Sequence, residues 1–87
     1  MYTILCYDVG QKRVSRVRKT VLKYLHSVQK SVMAGNLTDY SLRRLKEELQ
    51  SCIDPSHDTV VIYCCSSADL LSRHQIGMAG SEEPFFL

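Results

Sequence analysis

Apolar residues along the 87-residue chain form two short, dense runs and two periodic stretches. The runs YTILCYDV (2–9) and DTVVIYCC (58–65) are rich in aromatic and β-branched residues and too short for ordinary helices, so both are predicted to be strands. Between them, apolar residues recur every three or four positions over 12–26 and 38–52, which is typical of amphipathic helices, and Thr38 is a suitable cap for the second. The predicted buried residues are Val14, Val17, Val21, Leu22 and Leu25 in the first helix and Leu42, Leu45, Leu49 and Ile53 in the second.

The remaining segments are less regular. Residues 28–37 (VQKSVMAGNL) are strand-like with a bend at Gly35-Asn36, and they fit either one kinked strand or two short strands. After residue 65 the chain has a polar turn, a strand predicted around 75–78, and the apolar end PFFL at 84–87. The order of the elements predicts an α+β fold of the ferredoxin-like βαββαβ type, a sandwich of an antiparallel sheet with two helices on one face.

Both long strands are apolar on both of their faces. A sheet with one face in water should alternate apolar and polar residues, and two helices cover only one face. The same sheet of a second copy is the simplest cover for the other face, so we expect a homodimer through the sheet faces. Residues 1–87 then form a single domain, in which 66–87 are a tail expected to dock on the partner protomer.

The formal net charge of +2 hides an uneven distribution of charged residues. Eight of the nine acidic residues lie at Asp39 or beyond, and none lies between Val9 and Thr38. That segment contains seven basic residues, namely Lys12, Arg13, Arg16, Arg18, Lys19, Lys23 and Lys30. Such a cluster indicates a surface that binds a polyanion, RNA or DNA in particular; a merely solvated helix face is the alternative.

Several other classes of protein fit the sequence poorly. No apolar run approaches the roughly 20 residues of a membrane span, and the N-terminus lacks the features of a secretory signal, so we expect a cytoplasmic protein without a membrane partner. The four cysteines lack CxxC spacing, and Cys6 and Cys64 lie inside predicted strands. They are interpreted as reduced core residues rather than as a zinc site.

Asp8 is the acid next to the basic segment, at the end of the first predicted strand. Alternation along the strand places its side chain on the same face as Ile4 and Cys6. Mg²⁺ uses one or two carboxylates together with phosphate oxygens and waters, and a dimer supplies the second carboxylate if Asp8 faces the two-fold axis. With basic residues nearby to hold phosphates, this pattern predicts a metal-dependent nuclease in which Asp8 is the catalytic and metal-binding residue.

Two other interpretations stay open at this point. Asp8 can instead cap the helix that follows it or pair with Arg13 or Arg16. The chain can also be a ferredoxin-like regulatory domain that binds a small ligand between protomers. That interpretation leaves the acid-free segment without an explanation, and the sequence has no glycine-rich loop.

Several short motifs stand in a fixed order along residues 2–65. They are Tyr7-Asp8-Val9, the basic residues of 12–19, Val28 to Val32 with Gly35, and Asp58 before Val61-Ile62-Tyr63. Together they resemble the CRISPR-associated Cas-two family, the second of the two universal CRISPR proteins. The sequence departs from that family where Met33 stands in place of a usual Phe and Ala34 in place of a frequent acid.

The resemblance implies a CRISPR adaptation protein that is a homodimer, with Asp8 of each protomer facing the axis and a tail strand crossing to the partner. It implies a magnesium-dependent endonuclease acting on RNA or DNA, with Mn²⁺ as an alternative ion. Tyr7 and Ser31 would be supporting residues, and Arg13 and Arg16 would form the basic start of the helix. It also implies a second role, in which the dimer holds duplex DNA and bridges two dimers of the CRISPR integrase, the first universal CRISPR-associated protein, during spacer acquisition.

Overall fold

The computed structural model describes residues 1–67 and 70–77. These residues form β1 (Tyr2–Asp8), α1 (Gln11–Leu22), β2 (His26–Gln29), β3 (Val32–Asn36), α2 (Asp39–Gln50), β4 (Thr59–Ser67) and β5 (Leu70–Gly77). The strands form one antiparallel sheet in the order β2-β3-β1-β4-β5. The predicted α+β ferredoxin-like arrangement is therefore confirmed, with β5 added beyond β4.

The segment that the sequence left open, 28–37, contains parts of two strands rather than one kinked strand. β2 and β3 pair as a hairpin around Lys30 and Ser31, with a bulge between Ser27 and Gln29. The backbone N–H of Tyr7 donates to the carbonyl oxygen of Ser31 at 3.1 Å, which ties this turn to the end of β1.

The main core lies between the two helices and one face of the sheet. The sheet contributes Leu5 and Tyr7 from β1, together with Met33 and Ile62, and α2 contributes its predicted leucines. Among the predicted core residues, Val14 is half-buried and Leu22 departs most from the prediction, because 43% of it is exposed. It lies about 100° around the helix from the buried Val21, and this rotation carries it away from the sheet.

The opposite face of the sheet is also apolar, as the sequence predicts. Cys6 and Val61 are register partners on this face, and both are completely buried. Burial raises the pKa of the Cys6 thiol to about 11. Dimerisation through this face remains a prediction for a single chain.

β5 pairs with β4 of its own chain, with Thr59 opposite Gly77. The strand predicted around 75–78 thus begins earlier, at Leu70, and Met78 lies outside the described residues. The apolar end at 84–87 also lies outside them, so the docking of the tail on a partner stays a prediction. Neither α1 nor α2, the helices of the described part, has the length and apolar character needed to cross a bilayer.

Candidate functional site

Asp8 is the last residue of β1, and its side chain is exposed. Its register partner on β4 is Thr59. The carboxylate makes no hydrogen bond or ion pair with any group in the described ranges. α1 begins at Gln11 after Gly10 without a side-chain cap, so Asp8 does not cap that helix as the alternative interpretation required.

A cleft of about 310 Å³ opens beside Asp8 at this end of the sheet. Its lining residues are Tyr7, Asp8, Val9, Val14, Lys30 and Ser31. The structure therefore brings together four of the residues that the sequence singled out, because β1 ends where the turn between β2 and β3 lies. The hydroxyl of Tyr7 donates to the carbonyl oxygen of Lys30 at 3.5 Å and adds a second link between strand and turn.

The cleft contains the carboxylate of Asp8, the ammonium group of Lys30 and the hydroxyl of Ser31, and one of its walls is apolar. Val9 and Val14 are half-buried and form that wall. The described residues supply one carboxylate to the cleft, and they contain no group of three side chains of the His, Cys, Asp or Glu type that could hold a metal ion. An exposed carboxylate without a partner among the described residues suits Mg²⁺, which keeps several waters and uses one or two carboxylates.

The seven predicted nucleic-acid-binding residues fall into two groups. Five are exposed and form no ion pair with the described residues: Lys12, Arg16, Arg18, Lys19 and Lys30. The other two are held by acids. Lys23 pairs with Glu48 on α2, which also accepts a hydrogen bond from Tyr24, and Arg13 pairs with Asp58.

Asp58 belongs to the motifs that carry the family resemblance, but its structural role becomes visible only in the folded chain. It immediately precedes β4 in the sequence and is completely buried. Its carboxylate accepts two hydrogen bonds from Arg13, from Nε to Oδ2 at 2.5 Å and from Nη2 to Oδ1 at 2.9 Å. The backbone N–H groups of Gly10 and Asp54 donate to the same carboxylate at 2.8 and 2.9 Å. The hydrogen bonds from Arg13, more than any other contact, hold the pKa of Asp58 well below its usual range.

The face of the sheet that points away from the helices carries a second depression. It has a volume of about 240 Å³ and an apolar lining, formed by Tyr2, Ile4, Val28, Gln29, Val32 and Ala34. It lies on the face that the sequence predicts to contact a second copy.

Comparison with known proteins agrees with this fold. Residues 1–72 match the family model described as CRISPR associated protein Cas2. A curated relative from Methanothermobacter thermautotrophicus, named CRISPR-associated endoribonuclease Cas2, is 37% identical over 93% of this chain and 89% of its own length. A relative from Archaeoglobus fulgidus, named CRISPR-associated endoribonuclease Cas2 2, is 40% identical over 95% of this chain and 94% of its own length.

Solved structures give the same result. A crystal structure titled as cas2 is 34% identical, covers 100% of this chain and 98% of its own, and superposes with a TM-score of 0.73. The Cas2 of Streptococcus pyogenes is 28% identical over 76% of this chain and 87% of its own, with a TM-score of 0.69. The family predicted from the sequence is thus confirmed, and the names of the relatives support the prediction of a nuclease: the chain belongs to the CRISPR-associated Cas2 family.

Proposed function

We propose that this chain is a magnesium-dependent endonuclease of a CRISPR adaptation system, active as a homodimer in which Asp8 of each protomer contributes to one metal site. The observation that carries the proposal is the exposed carboxylate of Asp8, which has no partner among the described residues and lies in a cleft with Lys30 and Ser31. The names of the curated relatives support ribonuclease chemistry as the first activity to test.

Each residue of the cleft has a distinct part in this proposal. Asp8 would hold Mg²⁺, or Mn²⁺ as the alternative ion. The ammonium of Lys30 attracts a phosphate of the bound strand, and the hydroxyl of Ser31 is a neutral donor beside it. Tyr7 holds the turn that carries both residues. When bound, the metal supplies Lewis-acid activation of a phosphodiester and a lowered pKa of its water.

The dimer is part of the proposal because the described residues of one chain bring one acid to the cleft. Two carboxylates that meet without a cation would repel each other, and a bound divalent ion would offset that repulsion. The apolar face around Ile4 supports a contact between sheets, since Asp8 alternates onto that same face.

The test is cleavage of labelled single-stranded RNA, single-stranded DNA and duplex DNA, with Mg²⁺, with Mn²⁺ and with EDTA. Wild type is expected to cut at least one substrate only with metal, and Asp8→Asn is expected to lose that activity while binding the nucleic acid with similar affinity. Asp39→Asn, an exposed acid at the start of α2, is the matched control. Cleavage that persists in Asp8→Asn would rule out this site.

A second candidate function is a non-catalytic dimer that binds duplex DNA and bridges CRISPR integrase dimers. The observation that favours it is the set of exposed cations on α1, among them Lys12, Arg16 and Lys19, which have no ion pair with the described residues. A pure wild-type sample that binds duplex DNA and cleaves none of the substrates with either metal would favour the scaffold over the nuclease.

A further inference from the structure

Asp58 connects three segments of the chain at one point. Its carboxylate accepts hydrogen bonds from the backbone N–H of Gly10 in the loop between β1 and α1 and from the guanidinium of Arg13 in the first turn of α1. It also accepts one from the backbone N–H of Asp54 in the connection between α2 and β4. On the other side, Gly77 of β5 packs so closely that an added Cβ would lie 2.1 Å from the carbonyl oxygen of Asp58. Asp58 therefore holds these segments together at this end of the sheet.

Asp58 lies next to the cleft that contains Asp8. Gly10 follows Asp8 by two residues, and Asp58 precedes Thr59, which is the register partner of Asp8. Asp8 ends its strand, and strand ends are places where backbone pairing readily opens. The hydrogen bond from Gly10 to Asp58 holds the chain immediately beyond Asp8.

Arg13 is fitted to this role by close packing. A Cβ at Gly10 would lie 2.5 Å from Nη2 of Arg13, so a larger residue at this position would force the guanidinium to shift. Its side chain is 30% exposed, and its two contacts occupy both oxygens of Asp58. If Arg13 turned outward to a phosphate, it would leave a buried carboxylate without its cation, which is costly.

We propose that Arg13 and Asp58 are positioning residues, whose ion pair fixes the loop from Asp8 to Gly10 and so keeps the Asp8 carboxylate aligned in the cleft. This inference rests on the proposed nuclease function. It moves Arg13 from the phosphate-binding surface to the support of the catalytic acid.

The experiment compares two variants that each remove one positive charge from α1, Arg13→Gln and Arg16→Gln. Arg16→Gln is expected to raise KM and to reduce the slope of log affinity against log salt on duplex DNA by about 0.9, the value for one lost phosphate contact. Arg13→Gln is expected to leave that slope unchanged and to reduce kcat by about tenfold to a hundredfold, the range for a small misplacement of a reacting group. Arg13→Lys, which keeps a cation for Asp58, should restore part of kcat.

A second measurement follows the loop itself. Amide hydrogen exchange at Gly10 should become at least about tenfold faster in Asp58→Asn, while Leu5 and Cys6 in the centre of β1 stay protected. Exchange at Gly10 tests the positioning role independently of the proposed nuclease function. A wild type without nuclease activity would defeat the proposed function, and the exchange data would still decide whether Asp58 holds the loop. A reduced salt slope for Arg13→Gln, an unchanged kcat, or unchanged exchange at Gly10 would each overturn the positioning role.

Discussion

At the scale of single residues, two aspartates at one end of the sheet differ in their surroundings. Asp8 is exposed and has no partner among the described groups, whereas Asp58 is completely buried and accepts four hydrogen bonds. A buried carboxylate is stable only when it is paired and hydrogen-bonded, and the contacts of Asp58 serve to stabilise the fold. Asp8, which the fold does not use, is the one available for binding a ligand.

Asp58→Asn is expected to lower the free energy of unfolding at neutral pH by about 2–4 kcal/mol, because charged hydrogen bonds to buried groups are lost. The pKa of Asp58 is lower in the folded chain than in the unfolded chain, so its contribution is complete above about pH 4 and is lost as the pH falls toward the folded-state value. The variant should therefore lose less stability than wild type on acidification. Urea unfolding at neutral pH and at about pH 3 measures this difference.

A residual pH dependence should remain in the variant. Hydrogen-bond donors also lower the pKa values of Glu48 and Asp54, with Lys23 the main cause for Glu48 and Ser56 for Asp54. Asp39→Asn is the control, since Asp39 is exposed. An equal loss of stability on acidification in wild type and Asp58→Asn would contradict the expected role of the ion pair.

At the scale of elements, α2 is the clearest case in which local sequence determines structure. Thr38 caps the helix by accepting a hydrogen bond from the N–H of Ser41 at 3.0 Å, and its predicted buried residues Leu42, Leu45 and Leu49 face the sheet. Capping and periodicity act over a few residues, so both are visible in the sequence. The helix ends at Gln50, close to the predicted end.

Thr38→Ala should reduce the free energy of unfolding by about 1 kcal/mol, because one N–H at the start of α2 loses its acceptor. Thr38→Ser keeps the hydroxyl and should remain within a few tenths of a kcal/mol of wild type. Chemical denaturation of the two variants beside wild type checks the prediction. Equal stabilities for alanine and serine would show that the cap contributes nothing measurable.

Features that depend on distant residues could not be predicted in the same way. The pairing of Arg13 with Asp58 joins residues 45 positions apart, so nothing near Arg13 distinguishes it from the exposed Arg16. For the same reason the charge pattern marked Lys23 as a nucleic-acid contact, although Glu48 binds it across the helices. The meeting of Asp8 with Lys30 and Ser31 depends on the sheet order, which follows from the fold as a whole and not from the residues next to Asp8.

At the scale of the whole molecule, the proposed dimer depends on the apolar face that carries Ile4. Ile4→Arg is expected to convert a dimer into a monomer with unchanged circular dichroism, because a charge would lose its water in the interface. Tyr40→Arg is the control, since Tyr40 is exposed on α2. Light scattering coupled to gel filtration measures the mass. A wild type that is monomeric at working concentration, or a dimer that tolerates Ile4→Arg, would contradict this arrangement.

β1 lies at the centre of the sheet and has a neighbour on each side, with Tyr2 opposite Asn36 of β3 and Cys65 of β4. Both neighbours come from later parts of the chain, and synthesis proceeds from the N-terminus. During synthesis on the ribosome, β1 cannot complete its pairing until β4 and Asp58 have been made. The end of β1, which carries Asp8, therefore cannot reach its folded geometry until most of the polypeptide has been translated.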